Sequence, residues 1–177
     1  MRIEVTNRLS LAELPSWSAL RTYRRKLVVD CRKAPAAVWG DAIGVQYECA
    51  GGFFTVTHYD YFDGVNHWLY VIGKNGRVRD FASIPDFFGF VQNVVVESPS
   101  TISLGFFGTN DRWEVTLSSQ GFWSFGAADL ARRPNRFILG KRYMALRQIK
   151  GSPWAHVAQT AVPPDAPATA SRRQGRG

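Results

Sequence analysis

The stretch FFTVTHYDYFDGVNHWLYVIGKNGRVRDF, from Phe53 to Phe81, decides how the rest of the chain is read. Phe53 to Phe62 and His67 to Ile72 are rich in β-branched and aromatic residues, which fit the pleated, half-buried surface of a strand. Between them stands Asp63-Gly64, a two-residue turn signal whose central positions need positive φ. Gly73-Lys74-Asn75-Gly76 then leads into Arg77 to Phe81, which reads as a second hairpin.

Working outward, Val45 to Cys49 reaches Phe53 through the glycine-rich turn Ala50-Gly51-Gly52 and adds a strand upstream. Downstream, Ile102 to Phe107 and Arg112 to Leu117 flank Gly108-Thr109-Asn110-Asp111 as a further hairpin, with Phe122 to Phe125 returning as one more strand. The hairpins around Gly73 and Gly108 align at a spacing of 35 residues, pairing Leu69 with Leu104, Asn75 with Asn110 and Arg77 with Arg112. Two copies are fewer than the three that repeat arrays need. Shared turn chemistry explains them best, with a duplicated or propeller-like sheet as the alternative.

The flanks carry helical spacing. Ser10-Leu11-Ala12-Glu13 has the form of a capping box, and Trp17, Leu20, Tyr23 and Leu27 share one face amid Arg21, Arg24, Arg25 and Lys26. Pro35 to Ile43 reads as a short helix closed by Gly44, and residues 84–89 as a helical turn that leads into the β-branched run Val94-Val95-Val96. Ile138, Arg142, Ala145 and Ile149 keep helical spacing near the other end. The expected fold is therefore α+β, an antiparallel sheet of hairpins over about 45–125 covered by short helices at 10–27 and 137–149. Residues 1–151 would make the single domain, and the Ala/Pro/Arg-rich 152–177 a disordered tail.

The 177 residues are 45% hydrophobic and 20% charged, the composition of a globular domain. No stretch approaches the roughly 20 apolar residues of a membrane span, and residues 1–5 show no secretory h-region, so a cytoplasmic, membrane-free protein is expected. The net charge of +8 is unevenly placed: residues 1–33 carry +5, residues 34–131 carry −6, residues 132–151 carry +7 and the remainder +2. Basic flanks gain affinity for nucleic acid through counterion release, and Arg21, Arg24, Arg25, Arg132, Arg133, Arg136, Lys141 and Arg142 would supply it. Packing of those flanks against the acidic middle is the competing explanation.

Catalytic signals are sparse. If Asp63-Gly64 is the turn, Asp60 lies opposite His67 and on the same face as His58, so His58, Asp60 and His67 are the residues on which acid/base or metal chemistry would rest. A cross-strand His–Asp pair is also an ordinary stabilising contact. Cys31 and Cys49 make at most one bridge, and no zinc spacing, nucleophile elbow or phosphate loop is present, so no metal or cofactor is expected. The aromatic load points elsewhere. Tyr59, Tyr61, Trp68, Tyr70 and Trp113, with Asp60, Asp63, Asp80, Asp86 and Asp111 at the rim, would suit an interface with a basic protein partner. The leading expectation is a protein-binding module, with a bacterial immunity protein covering a basic toxin as one setting; a nucleic-acid-binding protein is the alternative and a small enzyme the third.

Overall fold

The computed structural model describes residues 2–13, 24–61, 64–124, 132 and 140–151, with the backbone alone at 85–88. Twelve strands and no helix are found among them: β1 Glu4–Val5, β2 Leu9–Leu11, β3 Arg24–Val29, β4 Arg32–Trp39, β5 Ala42–Cys49, β6 Gly52–Tyr61, β7 Gly64–Gly73, β8 Val78–Phe88, β9 Val91–Ser98, β10 Thr101–Phe106, β11 Arg112–Phe122 and β12 Arg142–Ile149. None of the described residues forms a helix long and apolar enough to cross a membrane.

The strands make three antiparallel sheets, β2-β3-β4, β1-β5-β6-β7-β8 and β12-β11-β10-β9. β1 pairs with β5, and every other strand pairs within its sheet with its neighbours in sequence. The five-stranded sheet lies in the middle and is buried on both faces. One face packs Tyr47, Phe54, Val56, Leu69, Val71 and Ile84 against Ile102, Leu104, Trp113, Val115 and Met144 of the four-stranded sheet. The other packs Phe53, Tyr70, Ile72 and Phe81 against Leu27, Ala34, Ala36 and Val38 of the three-stranded sheet. Complete burial of a Leu or Phe side chain contributes about 1.5–3 kcal/mol, and Phe53, Phe54, Leu69 and Ile72 sit within 2% of full burial in this middle layer.

The α+β expectation is thus corrected to an all-β, three-layer arrangement. Each expected helix that falls on described residues is a strand. Residues 24–29 are β3, 35–39 belong to β4, 84–88 end β8 and 142–149 are β12. Ser10 and Leu11 pair with Val28 and Leu27 instead of capping a helix. The physical reason is that sheets, not helices, cover both faces of the central layer, and a covering sheet needs apolar residues at every second position. In β4, Ala34, Ala36 and Val38 point inward while Lys33, Pro35 and Trp39 stay exposed. The remainder of the helical readings at 14–23 and 137–139, and the tail from 152, lie outside the described residues.

The central hairpins stand as expected, with one register change. Tyr61 pairs with Gly64 and His58 with His67, so Gly64 is a strand residue and not part of an Asp63-Gly64 turn. The two glycine hairpins also occupy different places. The one at Gly73 joins the third and fourth strands of the β5–β8 run, whereas the one at Gly108 joins the second and third of the β9–β12 run. Their alignment at 35 residues is therefore turn chemistry and not a duplicated sheet. Gln120 and Gly121, expected as a break, lie inside β11, where Gly121 takes φ +73° at the shift in register between Leu117 and Phe122.

Candidate functional site

The outer surface of the β2-β3-β4 sheet collects charge that nothing within the described residues neutralises. Alternation sends Ala34, Ala36 and Val38 inward, which places Lys33, Pro35, Ala37 and Trp39 on the outside of β4. Register then puts Arg24 beside Trp39 and Lys26 beside Ala37 on that same side. Strands β2, β3 and β4 hold Arg24, Arg25, Lys26, Arg32 and Lys33 and not one carboxylate. Arg24, Lys26 and Lys33 are exposed and are without a carboxylate partner among the described residues. Lys26 reaches no further than the Pro35 carbonyl at 3.5 Å.

The acid nearest this hairpin is already engaged. Asp30 and Cys31 both take positive φ, 49° and 62°, as the two central residues of a tight turn between Val29 and Arg32. Arg8 donates from Nε and Nη2 to the two oxygens of Asp30, each at 2.6 Å, and from Nη1 to Glu48 at 2.8 Å. Hydrogen bonding to Arg8 holds the Asp30 carboxyl below its usual range. The tip of the β3–β4 hairpin is in this way fastened to β5.

Trp39 stands at the corner where β4 gives way to β5. Its ring, 37% exposed, lies under the Arg24 guanidinium at 5.3 Å and is stacked at 6.4 Å on Trp68. Its backbone N–H donates to the Tyr70 hydroxyl at 2.7 Å and its carbonyl accepts from the Thr57 hydroxyl at 2.5 Å. Gly40 completes the corner with φ +108°; a Cβ there would come within 2.9 Å of the His58 carbonyl oxygen, so a side chain would push the strands apart. Trp68 pairs with Thr57. Two and four residues on from Thr57, Tyr59 and Tyr61 share its face of β6, their rings stacked at 6.5 Å.

The residues expected from sequence to form a site scatter. His58 and His67 do come together, opposite one another with ring centroids 6.2 Å apart, but Asp60 pairs with Val65 and is exposed. The histidines are wedges in an apolar seam: His58 meets the edge of Phe90 at 5.1 Å and His67 that of Phe106 at 4.7 Å. Burial, then the neighbouring His58, pushes the His67 imidazole down to about 4. Burial also lowers His58, against the opposing pull of Asp41 and Asp60. His58 Nδ1 and His67 Nε2 are enclosed without a hydrogen-bond partner. His67 is 1% exposed and His58 half-buried, and no group of three metal-ligating side chains occurs among the described residues. Cys31 is exposed and Cys49 buried, with no bridge between them, and burial pushes the Cys49 thiol up.

Of the aromatic and acidic set, Tyr70 is 2%, Trp113 1% and Asp80 0% exposed, which takes them out of any surface. Asp80 instead accepts from the backbone N–H of Phe81 at 2.8 Å, Tyr143 at 2.6 Å and Met144 at 3.0 Å, tying β8 to β12. Tyr59, Tyr61 and Trp68 remain half-buried; Asp63 and the side chain of Asp86 lie outside the described residues.

The basic set divides as well. Arg24 and Lys141 are exposed. Arg25 is half-buried with its Nε enclosed. Arg142 is wholly buried, and Arg132 lies 4.6 Å over the buried Trp113 ring while its carbonyl accepts from the Ser83 N–H at 3.0 Å. Arg21, Arg133 and Arg136 are outside the described residues. Of the described downstream candidates Arg132 and Arg142 turn inward and Lys141 does not. Lys26 and Lys33 fall within the expected basic flank 21–33 but were not singled out as site residues, and nor was Trp39, because Pro35 to Ile43 reads as helix; the alternation of small apolar and polar residues over 33–39 was the signal. A shallow cleft of about 340 Å³ beside Gln92, Asn93, Phe106 and Phe107 carries no titratable side chain. No family model matches the chain, and no curated protein or solved structure matches it either.

Proposed function

We propose that the protein is a nucleic-acid-binding module that docks its ligand on the outer face of the β2-β3-β4 sheet. One observation carries the reading: three strands with five cations and no acid present Arg24, Lys26 and Lys33 together on an exposed surface. Cations set so close repel one another, and a polyphosphate relieves that repulsion while shedding its own condensed counterions. The acidic rim expected for a basic protein partner argues less well, since Asp80 is inside and Asp111 already accepts from Gln148 and Gly151. The test is the affinity of the full chain for a fluorescent oligonucleotide across a salt series. Affinity that falls linearly in log–log form supports the reading, and absence of binding at 50 mM salt removes it.

A second reading, an inhibitor that covers a partner protein, is favoured by Phe90 and Phe107, 49% and 66% exposed and joined by the Phe107 N–H to Phe90 carbonyl bond of 3.0 Å. Adjacent exposed rings are the usual anchors of such an interface. Substituting both by Ser would abolish co-purification of that partner and leave oligonucleotide binding unchanged.

A further inference from the structure

We infer that the nucleic acid held by this face is single-stranded, its phosphates on Arg24, Lys26 and Lys33 and a base on the Trp39 ring. The inference rests on the proposed function and adds the strandedness of the ligand.

Two arrangements carry it. The first is how the hairpin is held. A two-stranded ribbon reads duplex DNA by entering the major groove, which a projecting tip favours. Here the inner face of β3–β4 is packed through Leu27, Ala34, Ala36 and Val38 against the middle sheet, and Arg8 clamps the tip residue Asp30 to Glu48. The ribbon is held flat, with one face open.

The second is what lies beside the cations. Arg24 and Lys26 are two residues apart on the same side of β3, about 7 Å along the strand, and the first of them covers the Trp39 ring at 5.3 Å. The Trp39 ring, 37% exposed, is backed by Trp68 at 6.4 Å. A duplex keeps its bases stacked on each other and has no use for such a ring, whereas an unpaired strand presents a π-face at every nucleotide. A base that takes the place of the Arg24 guanidinium on Trp39 frees that cation to meet the adjoining phosphate.

The experiment uses the full chain and one 20-nucleotide sequence, offered as a labelled single strand and as its duplex, with anisotropy read over a salt series. The single strand is expected to bind at least tenfold tighter than the duplex. Trp39→Ala should weaken single-strand binding about tenfold, within the range measured when one stacking ring is removed, and leave the salt slope unchanged. Trp39→Phe, which keeps a ring, should recover most of the affinity; thermal melts of both variants show whether the corner still folds. Quenching of tryptophan emission by the single strand, lost in Trp39→Phe, gives a readout independent of affinity. Equal or tighter duplex binding, or Trp39→Ala binding the single strand as the parent does, overturns the inference and leaves the proposed function standing. Failure of both forms to bind at 50 mM salt overturns the two together.

Discussion

His67 shows what one titratable side chain costs a fold when it is used as an apolar wedge. Its ring is 1% exposed and holds a proton only near pH 4, whereas in the unfolded chain it does so near 6.5. Above pH 6.5 the ring is neutral in both states and contributes no pH dependence. As the pH falls from 6.5 towards 4 the unfolded state takes up the proton and the folded state does not, so stability declines, by up to roughly 3 kcal/mol. Urea unfolding at pH 7 and pH 4.5 should show this loss, and His67→Leu should flatten much of it; a parent profile that is level over that window would contradict the packing described. Asp80 makes the opposite use of a buried polar group. Substituting Ala there strands three backbone N–H donors, of Phe81, Tyr143 and Met144. A cost of about 3 kcal/mol or more is expected, read as a fall in melting temperature.

At the level of strands, much was legible and the errors have a common cause. Phe53 to Phe81 announces its hairpins because bulky β-branched and aromatic residues leave no competing helical reading, and the glycines mark the ends. Lys33 to Trp39 and Arg142 to Ile149 carry the same period-two alternation, with Ala34, Ala36 and Val38 inward in one and Arg142 and Met144 buried in the other. There the residues are Ala, Leu, Met, Lys and Arg, good helix formers, and intrinsic preference concealed the pattern that tertiary packing then imposed. The His pairing was legible as a shared face but not in its register, because the choice of turn residues next to Gly64 shifts every partner by two. The upstream flank was legible as basic, but which of its cations share a face was not, since that depends on which side of β4 the middle sheet covers.

The turns themselves give two measurable consequences. Gly52, at φ +141°, would bring a Cβ within 1.9 Å of the Ile72 carbonyl oxygen, so Gly52→Ala should cost about 3 kcal/mol or prevent folding, as judged by circular dichroism and solubility. Cys31 takes φ +62° with a side chain that disfavours it. Cys31→Gly relieves this and should raise stability by about 0.5–1 kcal/mol in chemical denaturation; a lower midpoint would contradict the turn geometry.

Taken whole, the molecule has two basic flanks that meet different fates. Downstream, Arg147 pairs with Glu114, Arg142 is buried and Arg132 turns onto Trp113. Upstream, Arg24, Lys26 and Lys33 stay on the surface. The combined substitution Arg24→Gln, Lys26→Gln and Lys33→Gln should therefore flatten the salt dependence of nucleic-acid binding by about 2 in slope, near 0.7–0.9 for each phosphate no longer neutralised, with the melting temperature unchanged. Lys141→Gln, exposed on the other flank, should leave the slope as it was.

The middle sheet, roofed on both sides, also sets an order in time. Strands β9 to β12 leave the ribosome after the middle sheet, and until they have emerged the faces of Tyr47, Phe54, Val56 and Leu69 are bare greasy surface. A nascent chain stalled before Val91 would leave that side of the middle sheet uncovered, a natural substrate for chaperones. Release from the chaperone should coincide with translation of β12.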